Sequence, residues 1–323
     1  MGILETIKNI FRNNLTTNSS INKSSAFSEY SMAIFLNWAD GKALGKSSSD
    51  YPQYIKYECK IDNPIKYHKE MICNGYLCSP PIEKALKLYK VPDLKQLLSG
   101  NNLSTTGTKQ ILIQRILDNI PTENLEILRD SINNYVLSQQ GTIFVNRNKA
   151  YIEIHKNSNW MISLNEYTKK KNELTFDASF YDVAWGIFVD RNIEYSSQHN
   201  WGLVRNNILN MSELLYKRND ITNSLSFLLS VLYYDLSGLG NNNILYNYNE
   251  IKCAPGIIER ILKMKDNYHP DMIDKCPFLD QLPFAYFSVD TFKIVVSDLI
   301  NDGKIDLNKY KNYTQKQARA KRN

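Results

Sequence analysis

The chain has 323 residues, 43 % of them hydrophobic and 22 % charged, enough apolar material to bury a core without disulfide or metal staples. Its most apolar run, "SLSFLLSVLYYDLSG" at residues 224–238, is shorter than the roughly 18 to 20 uninterrupted apolar residues a membrane helix requires, which argues against a membrane partner. The formal charge of +6 is unevenly placed: Lys309, Lys311, Lys316, Arg319, Lys321 and Arg322 supply six positive charges without an acid, so residues 1–308 are close to neutral.

Residues 2–14 space Ile3, Ile7, Ile10 and Phe11 along one helical face, and the polar run "NNLTTNSSINKSS" then reads as a linker. The first helix lacks the basic start, apolar middle and small-residue cleavage site of a secretory signal. Five cysteines, an odd number, are therefore expected as free thiols in a reducing cytoplasm. A domain start is placed near Tyr51. In "NPIKYHKEMICNGYL", residues 63–77, Asn63-Pro64 opens a helix carrying Ile65, His68, Met71 and Ile72, and Gly75 stops it before a short strand. Helix, glycine and strand in this order resemble a winged-helix segment. "PIEKALKLY", residues 81–89, forms a further helix.

Residues 91–117, "VPDLKQLLSGNNLSTTGTKQILIQRIL", hold two short amphipathic runs around a polar hinge. Leu94, Leu97 and Leu98 share one face of a first helix opened by Lys90 or Val91, with Pro92 at its first turn. Leu103 enters from an extended link, and Leu112, Ile113 and Ile116 meet the leucines from the second helix. Thr106 is expected to cap that second helix. Gly107 lets the backbone approach an anion, and the amides of Gly107, Thr108 and Lys109 point outward at the positive helix end. Lys109 adds a full charge, and Lys95, Ser104 and Arg115 stand close by as further phosphate contacts. Residues 84–120 carry Lys84, Lys87, Lys90, Lys95, Lys109 and Arg115 against Asp93 and Asp118, a local balance of +4 that suits a phosphate backbone.

The order of Val91, Leu94, Lys95, Leu97, Leu98, Gly100, Leu103, Gly107, Lys109, Leu112, Ile113, Arg115 and Ile116 resembles a SAP domain. The resemblance covers about residues 84–120. It implies a helix, extended link, helix unit that binds DNA, often AT-rich, largely independently of sequence. Asn102 stands where the family usually has glycine before the leucine of the link, and Asn tolerates the left-handed backbone nearly as well. The whole arrangement also resembles SAP-containing proteins of low-GC Gram-positive bacteria and their phages, a likeness that names no activity.

Beyond Ile120, "PTENLEILRDSINNYVLS" is expected as a long helix with Leu125, Ile127, Leu128, Ile132 and Tyr135 inward, followed by a strand, turn and helix closing a wing. From about residue 160, "DASFYDVAWGIFVDRNIEYSS", "RNNILNMSELLYKR", "ITNSLSFLLSVLYYDLS", "APGIIERILKM" and "SVDTFKIVVSDLIND" carry apolar residues at helical spacing. The expected fold is mainly α: a SAP-like helix–extended–helix unit beside a winged-helix-like segment, followed by a larger helical domain with few short strands. Its parts are an N-terminal helix and linker (1–50), the winged-helix-like segment (51–83), the SAP-like unit (84–120), a helix with a candidate wing (121–158), a C-terminal helical domain (159–308) and a basic tail (309–323).

Cys59, His68, Cys73 and Cys78 stand nine, five and five residues apart, and Cys253, His269 and Cys276 wider still, without the two close pairs of structural zinc sites, so no metal and no cofactor is expected. Asp177, Asp182, Asp190 and Asp235 show no nuclease-like spacing, and Asp235 is read as accepting from a helix end. "SGLGNNN" lacks the strand and helix of a dinucleotide loop. No catalytic residue is assigned, and Phe180, Tyr181, Trp185 and Phe188 are read as core. The expected protein is a non-enzymatic, cytoplasmic DNA-binding protein of a phage or mobile element, whose C-terminal domain binds another protein or a second copy of itself. The alternative is an assembly protein that uses the SAP-like unit only as a brace.

Overall fold

The computed structural model describes residues 23–130, 133–240 and 243–314. The helix expected at 2–14 and the tail beyond residue 314 lie outside the described residues. The chain divides into two units, residues 1–156 and 157–323, and both are mainly helical.

In the first unit α1 (Lys23–Ala39) is followed by β1 (Lys42–Ala43), α2 (Gln53–Tyr57), α3 (Pro64–Cys73) and β2 (Leu77–Cys78). The linker expected up to residue 50 is corrected by α1, whose Ala33, Ile34, Phe35 and Leu36 are each at most 1 % exposed. Four consecutive buried residues leave no amphipathic stripe, so periodicity does not betray a helix covered on most sides. Helix α3 begins as expected: Asn63 accepts from the Lys66 amide at 3.0 Å, Pro64 occupies the first turn, and Gly75 leaves the helix at φ 76°.

Helices α4 (Ile82–Leu88), α5 (Val91–Gly100), α6 (Lys109–Asn119) and α7 (Thr122–Asp130) come next, and then β3 (Asn134–Leu137), α8 (Gln139–Arg147) and α9 (Lys149–Lys156). The long helix expected over 121–138 therefore ends at Asp130, and Tyr135 lies in a strand, where an aromatic and a β-branched neighbour favour pleated backbone. β3 is the centre of a three-stranded antiparallel sheet of order β1-β3-β2. Lys42 pairs with Tyr135 and Leu77 with Leu137. The strand expected to close a wing near residue 77 thus finds its partner beyond the SAP-like unit, and the helix–strand–helix–helix–strand–strand layer runs from α1 to β3. Helices α4 to α7 stand where a hairpin turn would join β2 to β3, with a core of their own built from Leu86, Leu94, Leu98, Leu112, Ile113, Ile116, Ile120 and Leu125.

The second unit contains α10 (Leu164–Glu173), α11 (Phe180–Ser197), α12 (Trp201–Lys217), α13 (Ile221–Leu236), α14 (Pro255–Lys263) and α15 (Val289–Asp302). Ser179 caps α11 and receives Asp182 in return, a reciprocal capping box. Helices α12 and α13 approach closely at two small residues: the Ser212 hydroxyl donates to the Ser224 carbonyl at 2.8 Å, and the Ser224 hydroxyl donates to the Ser212 carbonyl at 2.9 Å. Phe180 and Phe188 are buried as expected. Residues 307–313 form a 3₁₀ helix in which Tyr310 is buried in the core of this unit, while Lys309 pairs with Asp298. The basic tail is corrected accordingly, because its first residues are anchored to the helical unit.

Candidate nucleic-acid interface

Helix α5 starts where Lys90 leaves helical geometry at ψ 156°, and Asp93 accepts from the Lys90 amide at 3.1 Å. Leu94 and Leu98 are buried while Lys95, between them in sequence, is exposed and makes no hydrogen bond or ion pair among the described residues. The helix closes at Asn101, whose side-chain amide donates to the Leu97 carbonyl at 2.8 Å. Asn102 takes the left-handed conformation at φ 55°, which lets the Leu103 amide reach the Leu98 carbonyl at 2.9 Å. This is the conformation a glycine would supply, and Asn is among the few other residues that tolerate it.

The hinge between the helices is short and exposed. Ser104 and Thr106 share a hydrogen bond between their hydroxyls at 2.9 Å, so Thr106 does not cap the second helix as the sequence suggested. The cap is Thr108, whose Oγ1 accepts from the Ile111 amide at 3.5 Å and whose carbonyl accepts from Leu112 at 3.0 Å. Both threonines are cap-type residues; the backbone of Gly107 chooses between them. At φ +124° it reverses the chain, and Thr108 then enters α6 with the extended backbone of an N-cap. A Cβ at Gly107 would lie 2.9 Å from Ile111 Cγ2 and 3.1 Å from Ile111 Cβ.

Two of the expected phosphate contacts are turned toward the protein itself. Arg115 Nη1 donates to the Ser104 carbonyl at 2.5 Å and to the Thr106 carbonyl at 2.9 Å, so its guanidinium clasps the hinge from one turn along α6. Lys109 Nζ donates to the Lys87 carbonyl at 2.6 Å, a cation on the carboxyl end of α4 where unpaired carbonyls collect. Ser104, Thr106, Gly107, Thr108, Lys109 and Arg115 are thereby gathered into one hinge, and Lys95 stands apart on α5. Gly107, Thr108 and Gln110 are exposed. The amides of Lys109 and Gln110, in the first turn of α6, have no partner among the described residues.

Lys84 and Lys90 are exposed and free of ion pairs among the described residues, whereas Lys87 is paired with Glu83 at 2.5 Å. The same salt bridge holds the Glu83 carboxyl below its usual range. Ile111, which the sequence reading left unassigned, is 48 % exposed beside the hinge.

Three of the four carboxylates weighed for metal chemistry are otherwise engaged. Asp235 receives both Nε and Nη2 of Arg205 at 2.8 Å, in place of the helix end expected to bond it. Asp190 pairs with Lys170, and Asp182, held below its ordinary range mainly by the Ser179 hydroxyl, also meets Arg218. Among the described residues no group of three or more His, Cys, Asp or Glu is placed to hold a metal ion. Burial pushes the Cys59 and Cys253 thiols up to about 12, far from the thiolate that nucleophilic chemistry needs. No helix among the described residues is long and apolar enough to cross a membrane.

Residues 85–121 match the SAP domain family, whose members are generally DNA-binding. No curated protein and no solved structure matches the chain.

Proposed function

We propose that the chain is a non-enzymatic, cytoplasmic DNA-binding protein of a phage or mobile element, attached through its SAP unit, with the second unit making protein contacts. The observation that carries this reading is the exposed amino end of α6. Two unpartnered amides, the Thr108 hydroxyl and the positive helix end face solvent together there, a ready-made cradle for one phosphate oxygen. Lys84, Lys90 and Lys95 supply mobile charge for neighbouring phosphates. Lys109 spends one of its three donors on Lys87 and keeps two for an anion. Arg115 is assigned to holding the hinge in shape. None of these groups reads base edges, so recognition is of backbone and groove shape, with any AT preference arising from groove width.

The test is fluorescence anisotropy of the full chain with a labelled duplex across a salt series. Three or four neutralised phosphates give a log–log slope of roughly −3 to −4. Changing Lys84, Lys90 and Lys95 together to Ala is expected to flatten that slope by about one unit for each lysine that touches a phosphate. A slope near zero, or one that the triple variant leaves intact, would return the SAP unit to the role of a brace in an assembly protein.

A further inference from the structure

The second unit contains a half-open pocket of about 390 Å³ at the carboxyl ends of α12 and α14 and the first turns of α13, within the range of about 300 to 1,000 Å³ typical of small-molecule sites. It lies beside the close approach of α12 and α13, with Ser212 and Ser224 on its lining. Ser212 and Ser224 bond to each other's carbonyls, and their short side chains leave unfilled the space that a leucine pair would occupy. Leu228 and Met264, both buried, provide apolar floor, and the ring of Tyr216, 56 % exposed, forms a wall.

The mouth is cationic. Lys217, Arg260 and Lys263 line it against one carboxylate, Glu213. That carboxylate is already neutralised: it accepts from Arg260 Nη1 at 2.7 Å, from Trp160 Nε1 at 3.1 Å and from Asn159 Nδ2 at 3.0 Å. Lys217 is bonded to Asn157 Oδ1 and lies 4.9 Å from the Trp160 ring centroid, contacts with neutral groups that leave its charge uncompensated. Lys263 is exposed and makes no hydrogen bond or ion pair among the described residues. An apolar floor, an aromatic wall and a surplus of positive charge at the rim select a ligand with the opposite pattern.

We infer that this pocket binds a small amphipathic organic anion, an aromatic or aliphatic body of one to three rings carrying a carboxylate, sulfonate or phosphate at one end. The body enters between Leu228, Met264 and Tyr216, and the acidic group stays at the mouth beside Lys263 and Lys217. This site is independent of the SAP unit and of DNA.

The full chain is titrated with 1-anilinonaphthalene-8-sulfonate, an anionic probe that carries a naphthalene and a phenyl ring, and in parallel with its uncharged counterpart N-phenyl-1-naphthylamine. One saturable site per chain is expected for the anion, about tenfold weaker for the neutral probe and about tenfold weaker in Lys263→Glu and in Tyr216→Ala, a loss of one good contact. Near-UV circular dichroism of each variant should match the parent, which separates loss of the site from loss of the fold, and Lys304→Glu, on a surface lysine outside the pocket, should bind as the parent does. The inference is overturned by an anion titration that does not saturate, by equal affinity for both probes, or by variants that keep the native dichroism and the parental affinity.

Discussion

Gly107→Ala tests the hinge most directly. The new Cβ would meet Ile111 Cγ2 at 2.9 Å and Ile111 Cβ at 3.1 Å. Rotation about χ1 moves Cγ2 away, because Ile111 is half exposed, but Cβ is fixed to the helix and stays. The backbone adds its own cost, since φ +124° lies where an L side chain is strained by about 1–3 kcal/mol. With about 1 kcal/mol for the residual overlap, the substitution should destabilise the SAP unit by roughly 2–4 kcal/mol. A unit of this size commands only about 2–6 kcal/mol at common per-residue stabilities, so it should open locally while the second unit stays folded. Native-state hydrogen exchange reads this: the amides of Leu112, Ile113 and Ile116 should exchange roughly 30- to 1,000-fold faster, with α12 and α13 as an unchanged internal reference. The double variant Gly107→Ala/Ile111→Ala keeps a Cβ at position 111, 3.1 Å from the new one, so most of the cost should persist. Unchanged exchange in the single variant would refute the assignment, and full recovery in the double variant would place the cost in the Ile111 side chain beyond Cβ and leave the backbone unstrained.

Arg115→Ala removes the clasp on the Ser104 and Thr106 carbonyls, both at the surface, and should cost about 1 kcal/mol because water replaces the lost donors; the salt slope of DNA binding should stay within about half a unit, whereas a drop of about one unit would make Arg115 a phosphate contact. Asn102→Gly relieves a left-handed residue and should leave urea stability within about 0.5 kcal/mol of the parent, a larger loss meaning that the Asn side chain holds the hinge. His68 is fully buried, its Nδ1 is 3.0 Å from the Tyr51 hydroxyl, and Phe35, Trp38, Tyr51 and Tyr135 surround its ring. Burial depresses its pKa from 6.5 to about 4, so the folded state requires neutral imidazole. Its contribution is fully present above about pH 6.5 and is lost as pH falls through 4, about 3 kcal/mol in all; urea midpoints of the first unit between pH 7.5 and 4.5 should fall with acid in the parent and much less in His68→Phe, and equal slopes would remove His68 from the account.

The hydrophobic spacing of residues 91–117 was enough to place both SAP helices and their inward leucines, because each depends on neighbours within one or two turns, while the left-handed Asn102 followed from the family resemblance, which sets a glycine at that place. The same held for α3 and for α11 to α15, five of the six described α-helices of the second unit, whose apolar residues recur at three and four, whereas α10 was not foreseen. The sequence did not decide between Thr106 and Thr108 as the cap, since both have the right hydroxyl and only the path of Gly107 separates them. It also assigned Arg115 and Lys109 to a ligand. In the fold Arg115 bonds carbonyls 9 and 11 residues away, and Lys109 gives one of its three donors to a carbonyl 22 residues away, contacts brought about by packing that no local pattern records. β3 shows the same limit, because its partners Lys42–Ala43 and Leu77–Cys78 lie on the far side of the SAP unit in the chain. Local spacing reveals the segments that coil with an apolar face of their own, and misses one such as α1 that is covered on most sides. What a charged side chain or a strand edge meets is set by segments distant in sequence, so only the folded chain decides which cations are left for a partner.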